Sequence, residues 1–169
     1  SFTKTVYLWM KDAAGNVSSS AADSITLIVA DTTTPTSPSI SINSGDTSTS
    51  NTVVSLSISA SDNIGVTAYY TSETSSTPSS TDSGWNSVTS SVAFSSTVSF
   101  NLSSGSTEGS HNRTVYVWFK DAAGNISSSA SDGITLIVSD TNAPSNPTIT
   151  INSGADNTSS TIVTLTVSA

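Results

Sequence analysis

Apolar residues in this chain fall on every second position in run after run, with serine and threonine between them. Thr52–Ala60 places Val54, Leu56, Ile58 and Ala60 on one face and Ser55, Ser57 and Ser59 on the other. A period of two marks a strand with one buried face. The same alternation predicts strands over Ser39–Asn43, with Ile40 and Ile42 inward, and over Val66–Ser72, with Val66, Ala68 and Tyr70 inward. Further strands are predicted over Thr97–Leu102 (Val98, Phe100, Leu102), Arg113–Lys120 (Val115, Val117, Phe119) and Ile134–Val138 (Ile134, Leu136, Val138). Ser61–Gly65 reads as a turn, and Glu73–Gly84 as a Ser/Thr/Pro-rich loop ahead of Trp85 and Val88. No segment sustains a helical period. Seven or so short strands joined by polar turns predict an all-β fold, an antiparallel β-sandwich with Greek-key connections.

The pattern repeats. Ser1–Ala60 aligns without a gap on Ser110–Ala169, at an offset of 109, with roughly 37 of 60 positions identical. Lys4–Asn16 returns as Arg113–Asn125, Asp31–Pro35 as Asp140–Pro144, and Ile40–Gly45 as Ile149–Gly154. A period of that size is one small domain, so the chain reads as a tandem array. The expected division is residues 1–30 as the C-terminal half of one unit (its last two strands), 31–139 as a complete unit, and 140–169 as the first two strands of the next. A complete unit can bury a core, whereas a 30-residue half cannot stabilise itself alone.

Composition narrows the function classes. Serine and threonine make up roughly 40% of the chain, and their alternation with apolar residues makes them solvent faces of strands rather than a sign of disorder. Four basic residues against twelve acidic ones leave a net charge of −8. That balance disfavours nucleic acid and anionic membrane as partners. The absence of cysteine removes a disulfide framework and thiolate chemistry. No apolar run approaches the length of a membrane span, so no membrane insertion is expected.

Ser61–Val66, Thr114–Asn125 with its Asp-Ala-Ala-Gly-Asn turn, and the Asp-x-x-x-Pro linkers at Asp31 and Asp140 resemble bacterial immunoglobulin-like repeats. Such repeats are strung in series in large secreted or surface-anchored proteins, including adhesins and stalk- or filament-forming chains. The resemblance implies immunoglobulin-like sandwich repeats in tandem, an extracellular or cell-surface location, and a role as spacer or fibre module. The chain departs from many adhesin repeats in having few acidic residues.

In a sandwich of that kind, Asp31, Asp62, Asn63, Asp121, Asn125 and Asp132 gather near one interdomain junction. No cofactor is required by any motif. Calcium favours six to eight oxygen ligands, so Asp31, Asp62 and Asp121 are candidate ligands for an ion stiffening the joint. Turn chemistry is the alternative, because Asp and Asn cap turns through nearby backbone amides. A second candidate site is an outward row of aromatics, Tyr116 and Trp118 with Tyr69, repeated as Tyr7 and Trp9, facing protein or a sugar ring; linker or loop side chains covering the row are the alternative there. Trp85 reads as a core or loop-packing residue, and His111 as a strand-edge residue without an evident partner. No paired buried carboxylates, nucleophile–base pair or His cluster can be assembled, so the chain is not read as an enzyme. The expected function is a non-catalytic structural repeat whose partners are neighbouring repeats or identical chains in a filament. The alternative is an adhesin module binding carbohydrate through the aromatic face.

Overall fold

The computed structural model of the chain describes residues 1–105 and 107–169. It is mostly β. The strands are β1 (Phe2–Leu8), β2 (Ala21–Leu27), β3 (Thr36–Ile42), β4 (Ser48–Thr49), β5 (Val53–Ser72), β6 (Asn86–Asn101), β7 (Gly109–Asp121), β8 (Ala130–Val138), β9 (Thr148–Ile151) and β10 (Leu165–Ser168). Single 3-10 turns at Asn43–Gly45 and Asn152–Gly154 are the helical elements among the described residues.

The central sheet runs β3-β5-β7-β8-β4, with β6 on the remaining edge of β5. The first half of β5 pairs with β3, Ile42 opposite Leu56, and its second half pairs with β7, Tyr70 opposite Trp118. One strand therefore passes from one side of the body to the other, and the sheet curls around its own apolar face. Ile42, Val54, Leu56 and Ile58 pack in the same core as Val115, Val117, Phe119 and Ile134. Burying each such side chain contributes about 1.5–3 kcal/mol, and the serines and threonines between them remain on the solvent side.

Four departures from the expected pattern have physical causes. The Ser61–Gly65 turn is instead a bulge inside β5, where Asp62–Gly65 oppose the single residue Val92 of β6. Asp62 holds the bulge by accepting the amides of Ile64 (3.0 Å) and Gly65 (2.8 Å) on Oδ2. Second, Val66 and Ala68 pair with consecutive residues of β7, Asp121 and Lys120. Thr67 is the extra residue, its hydroxyl donating to the Lys120 carbonyl. This irregularity reverses the alternation, so Tyr69 packs against the core beside Phe94 and Tyr70 lies on the opposite face against Trp118. Third, the strand expected over Thr97–Leu102 is the end of the long β6, with Leu102 donating its amide to Thr52 just beyond it. Fourth, β4 lies parallel to β8, so the sheet is mixed rather than purely antiparallel.

Outside the central sheet, β1 pairs with β2 and β9 with β10 as separate hairpins. Their registers reproduce those of the central body at the offset of the sequence repeat. Phe2 faces Leu27 as His111 faces Leu136, and Ile151 faces Leu165 as Ile42 faces Leu56. The local turns repeat as well, with Gly15 and Gly124 at φ +97° and +92°. What differs is burial: Val117 is 0% exposed, whereas its counterpart Leu8 is 56% exposed.

Gly65 is the position where the bend admits no side chain. Its φ is +144°, and a Cβ there would collide with the Ser90 side chain and lie 3.2 Å from the Ser91 amide nitrogen. Gly65→Ala is expected to cost about 2 kcal/mol or more in urea unfolding followed by circular dichroism. Gly133→Ala, whose Cβ would sit 3.6 Å from the Arg113 carbonyl in ordinary contact, should change stability far less.

Candidate metal centre

Three carboxylates meet where the linker, the bulge and the end of β7 converge. Asp31 comes from the segment between β2 and β3, Asp62 from the β5 bulge, and Asp121 from the last position of β7. Each offers one oxygen, and the three oxygens lie within 4.8 Å of one another. Asp62 is 7% and Asp121 2% exposed, while Asp31 is half-buried.

Each carboxylate is held by its own turn. Asp121 accepts the Asn125 amide on Oδ1 (2.8 Å) and the Asn125 side-chain amide on Oδ2 (2.7 Å). The same clasp forms in the first hairpin, where Asp12 accepts the amide and side chain of Asn16 at 2.8 and 2.9 Å. There the Asn16 side-chain hydrogen bond, followed by the backbone one, holds the Asp12 carboxyl below its usual range. The clasp is thus a property of the Asp-Ala-Ala-Gly-Asn segment and forms even where nothing is packed over it. Asp31 accepts the Thr33 amide at 3.0 Å, as Asp140 accepts that of Asn142 at 2.7 Å. The Asn125 side chain also donates to the Asp31 carbonyl (3.2 Å), and Asn63 donates to Asp31 Oδ1 (3.4 Å). Pro35 is buried, so the linker lies against the central body at both ends of its Asp-x-x-x-Pro motif.

Turn capping accounts for most of these oxygens but not for all. Asp62 Oδ1 is buried and has no hydrogen-bond partner. Leaving a buried acceptor unsatisfied costs about 1–3 kcal/mol, and more for a charged group. Three carboxylates with oxygens within 4.8 Å of one another also gather like charges in one place, which is unfavourable. The basic side chains of the central body are engaged elsewhere: Lys120 donates to the Ser80 carbonyl, and Arg113 lies 4.0 Å from Glu73. A divalent cation would offset both costs.

The donor set decides which cation fits. All three groups are carboxylates, with no thiolate and no imidazole, which favours a hard cation such as calcium over zinc or copper. Calcium–oxygen distances of about 2.3–2.6 Å put two ligands of one ion no more than about 5 Å apart, a separation these oxygens meet. Asp31, Asp62 and Asp121 would hold the ion.

Asp132, expected in the same group, does not join it. Its Oδ2 accepts the Ile42 amide at 2.7 Å and its Oδ1 the Gly133 amide, tying β3 to β8. Sequence reasoning also missed Glu73, which accepts the Ser103 amide and approaches Arg113. The only signal for it was its place as the lone acidic residue near the start of a hydroxyl-rich loop. His111, expected without a partner, donates from Nε2 to the Thr107 carbonyl at 2.7 Å.

The outward aromatic row is not an open surface in the central body. Trp118 is 1% exposed. Tyr116 stacks on one side of it, Tyr70 meets it edge-on, and Trp85 packs edge-on against Tyr70. The Glu73–Gly84 loop closes over this layer: Trp85 Nε1 donates to the Ser79 carbonyl, and Lys120 places its ammonium 4.6 Å above the Trp85 ring. Tyr69, expected in the row, faces the core. Tyr7 and Trp9 stack as Tyr116 and Trp118 do but are 56% and 57% exposed, because β1 and β2 carry no such loop.

Calcium added to chelator-treated protein should bind with one-to-one stoichiometry by calorimetry and raise the melting temperature, by mass action. Asp62→Asn keeps an acceptor for the Ile64 and Gly65 amides but removes a charge. It should abolish most of the calcium-induced rise without lowering the melting temperature in chelator. A variant that responds to calcium like the parent chain would rule Asp62 out as a ligand. For the aromatic layer, Trp118→Ala should destabilise the central body by about 3–5 kcal/mol, the cost of deleting a buried Trp, measured by urea unfolding. A change within about 0.5 kcal/mol would mean that the loop does not cover the ring in solution. Comparisons of the chain with protein-family models, curated proteins and solved structures found no match, so the reading of the site rests on its own geometry.

Proposed function

We propose that this chain is a non-catalytic structural segment of an extended extracellular fibre, filament or cell-surface protein, built from immunoglobulin-like repeats in tandem and stiffened by calcium where one repeat meets the next. The observation that carries the reading is the duplication of register. Two hairpins outside the central body pair the same residues, at the same offset, as the strands inside it, which is how an array of like units looks through a window wider than one unit.

Three further features support it. The first half of β5 pairs with β3 on one edge and with the second half of β6 on the other, while the second half of β5 pairs with β7, which in turn pairs with β8; this grouping resembles the two-layer strand grouping of immunoglobulin domains. It departs from it in running β5 and β6 continuously between the layers. Pro35 in the linker and Pro38 near the start of β3 fix backbone angles there and favour an extended joint. Asp31 belongs to the linker while Asp62 and Asp121 belong to the body, so an ion shared among them fastens the incoming chain to the unit that follows. The sugar-binding alternative needed Trp118, Tyr116 and Tyr69 on one open face, and neither the burial of Trp118 nor the orientation of Tyr69 favours it.

The test is the shape of an array. Proteins carrying two and four copies of residues 31–139 should scatter X-rays as rods whose maximum dimension grows in proportion to copy number in calcium. Chelation should shorten the mean dimension by allowing the joints to bend, and Asp31→Asn at each joint should mimic it. Compact particles, or a dimension insensitive to both copy number and calcium, would contradict the proposal.

A further inference from the structure

The second half of β6 is an edge strand without the usual guards. β6 pairs with β5 alone, and from Ala93 to Asn101 its ladder against Ser61–Val53 is unbroken. Just past its end, Leu102 donates its amide to the Thr52 carbonyl opposite. Backbone groups in an antiparallel ladder turn alternately toward the partner and away from it, so Phe94, Ser96, Val98 and Phe100 turn theirs toward β5. Ala93, Ser95, Thr97, Ser99 and Asn101 turn theirs outward. Among the described residues, the one hydrogen bond reaching that outward row is the Ser91 hydroxyl donating to the Ala93 carbonyl at 3.0 Å. Such a row is a template for another strand, and proteins blunt it with charge, proline, bulges, short length or a covering segment. The other edges of the body carry these devices. β4 is two residues long. β3 has Pro38 and an irregularity between Thr36 and Ser39, and Asp132 takes its Ile42 amide. The first half of β6 is irregular against β5 between Ser87 and Ser91. Ala93–Asn101 has no charged residue, proline or glycine.

We propose that this edge pairs with the same edge of a second copy of the chain, antiparallel and two-fold about Thr97. The occupant follows from the strand's own sequence. Phe94-Ser-Ser-Thr-Val-Ser-Phe100 reads the same in both directions apart from Ser96 and Val98. Rotation about Thr97 sets Phe94 opposite Phe100 of the second copy, Ser95 opposite Ser99, and Thr97 opposite itself. Outward-facing residues then meet outward-facing residues, and each such pair exchanges two backbone hydrogen bonds. A patch complementary to itself is what a closed two-fold contact requires. The side chains keep their faces across the join. Ser95, Thr97 and Ser99 are exposed and form a hydroxyl ladder, a favourable cross-strand pairing. Val98 and Phe100, half-buried against the core, gain cover from the second copy. Charge points the same way. The chain carries −8, yet β3, β6 and Val53–Ser61 hold no charged residue, so two copies repel least along this edge. The edge lies wholly within the central body, and its pairing depends neither on the calcium joint nor on the array reading.

Because Thr97 sits on the two-fold, a charge placed there opposes its own copy. In sedimentation velocity of the whole chain over a concentration series, the parent should exchange between monomer and a dimer of twice 17.1 kDa. Thr97→Lys and Thr97→Glu should each lose the dimer, and an equimolar mixture of the two should regain it. An unchanged melt verifies that each variant stays folded. Position is checked with cysteine, which the chain lacks. Facing residues that exchange hydrogen bonds have Cα atoms about 5.5 Å apart, within disulfide reach, so Thr97→Cys should oxidise to a covalent dimer. Ser57→Cys, exposed on the same face but one strand in from the edge, should not. A monomeric parent chain, association that survives Thr97→Lys, a mixture that stays monomeric, or equal cross-linking at the two positions would overturn the proposal. If any of these occurs while arrays of residues 31–139 remain rods, only this inference fails and the repeat reading stands.

Discussion

The bend in β5 is the constraint on which the rest of the structure depends. A strand running from Val53 to Ser72 would carry the sheet in one direction if its ladder were regular. Four residues, Asp62–Gly65, set against the single Val92 of β6 break the ladder, and Asp62 stabilises the break by capping two amides of its own loop. The first half of β5 can then face β7 and β8 while the second half pairs with β7. The same side chain that makes the bend leaves one buried oxygen without a partner and aligns with Asp31 and Asp121. Fold and candidate site thus share a residue, and the metal reading follows from the cost of the bend rather than from an acidic cluster alone.

Burial in this chain is decided by what lies opposite a strand, not by the strand's own sequence. β1 and the aligned part of β7 share the same alternation and the same register, yet Leu8 and the following Trp9 are open to solvent while Val117 and Trp118 are sealed. The difference is the presence of β3, β5 and the Glu73–Gly84 loop over β7. Local features behave otherwise: the Asp12 clasp with Asn16 and the Asp121 clasp with Asn125 agree within 0.2 Å, because short-range hydrogen bonding needs no distant partner. Turns in this protein are therefore portable, and cores are not.

That division also governs what could be read from the residues beforehand. The inward sets of β3, β7 and β8 were legible, since strict alternation fixes which face is apolar. So was the grouping of Asp31, Asp62 and Asp121, which followed from the resemblance to immunoglobulin-like repeats. The reversal at Thr67 was not legible: one extra residue in a strand changes no composition, yet it sends Tyr69 inward and Tyr70 outward. The covering of Trp118 was equally hidden, because a loop of serines, threonines and a proline gives no sign of where it folds. Asp132 was misplaced for a related reason. An Asp in a strand looks like an Asp in a turn until the Ile42 amide beside it is seen.

The central claim is that one oxygen-seeking cation joins the linker to the body through Asp31, Asp62 and Asp121. Backbone amide spectra of isotope-labelled protein, recorded during a calcium titration, report on it residue by residue. The account predicts shifts at Thr33, Ile64, Gly65 and Asn125, the amides bonded to those three carboxylates, saturating together at one equivalent. Amide shifts scattered along the acidic surface without saturation, or none at these four positions, would contradict it.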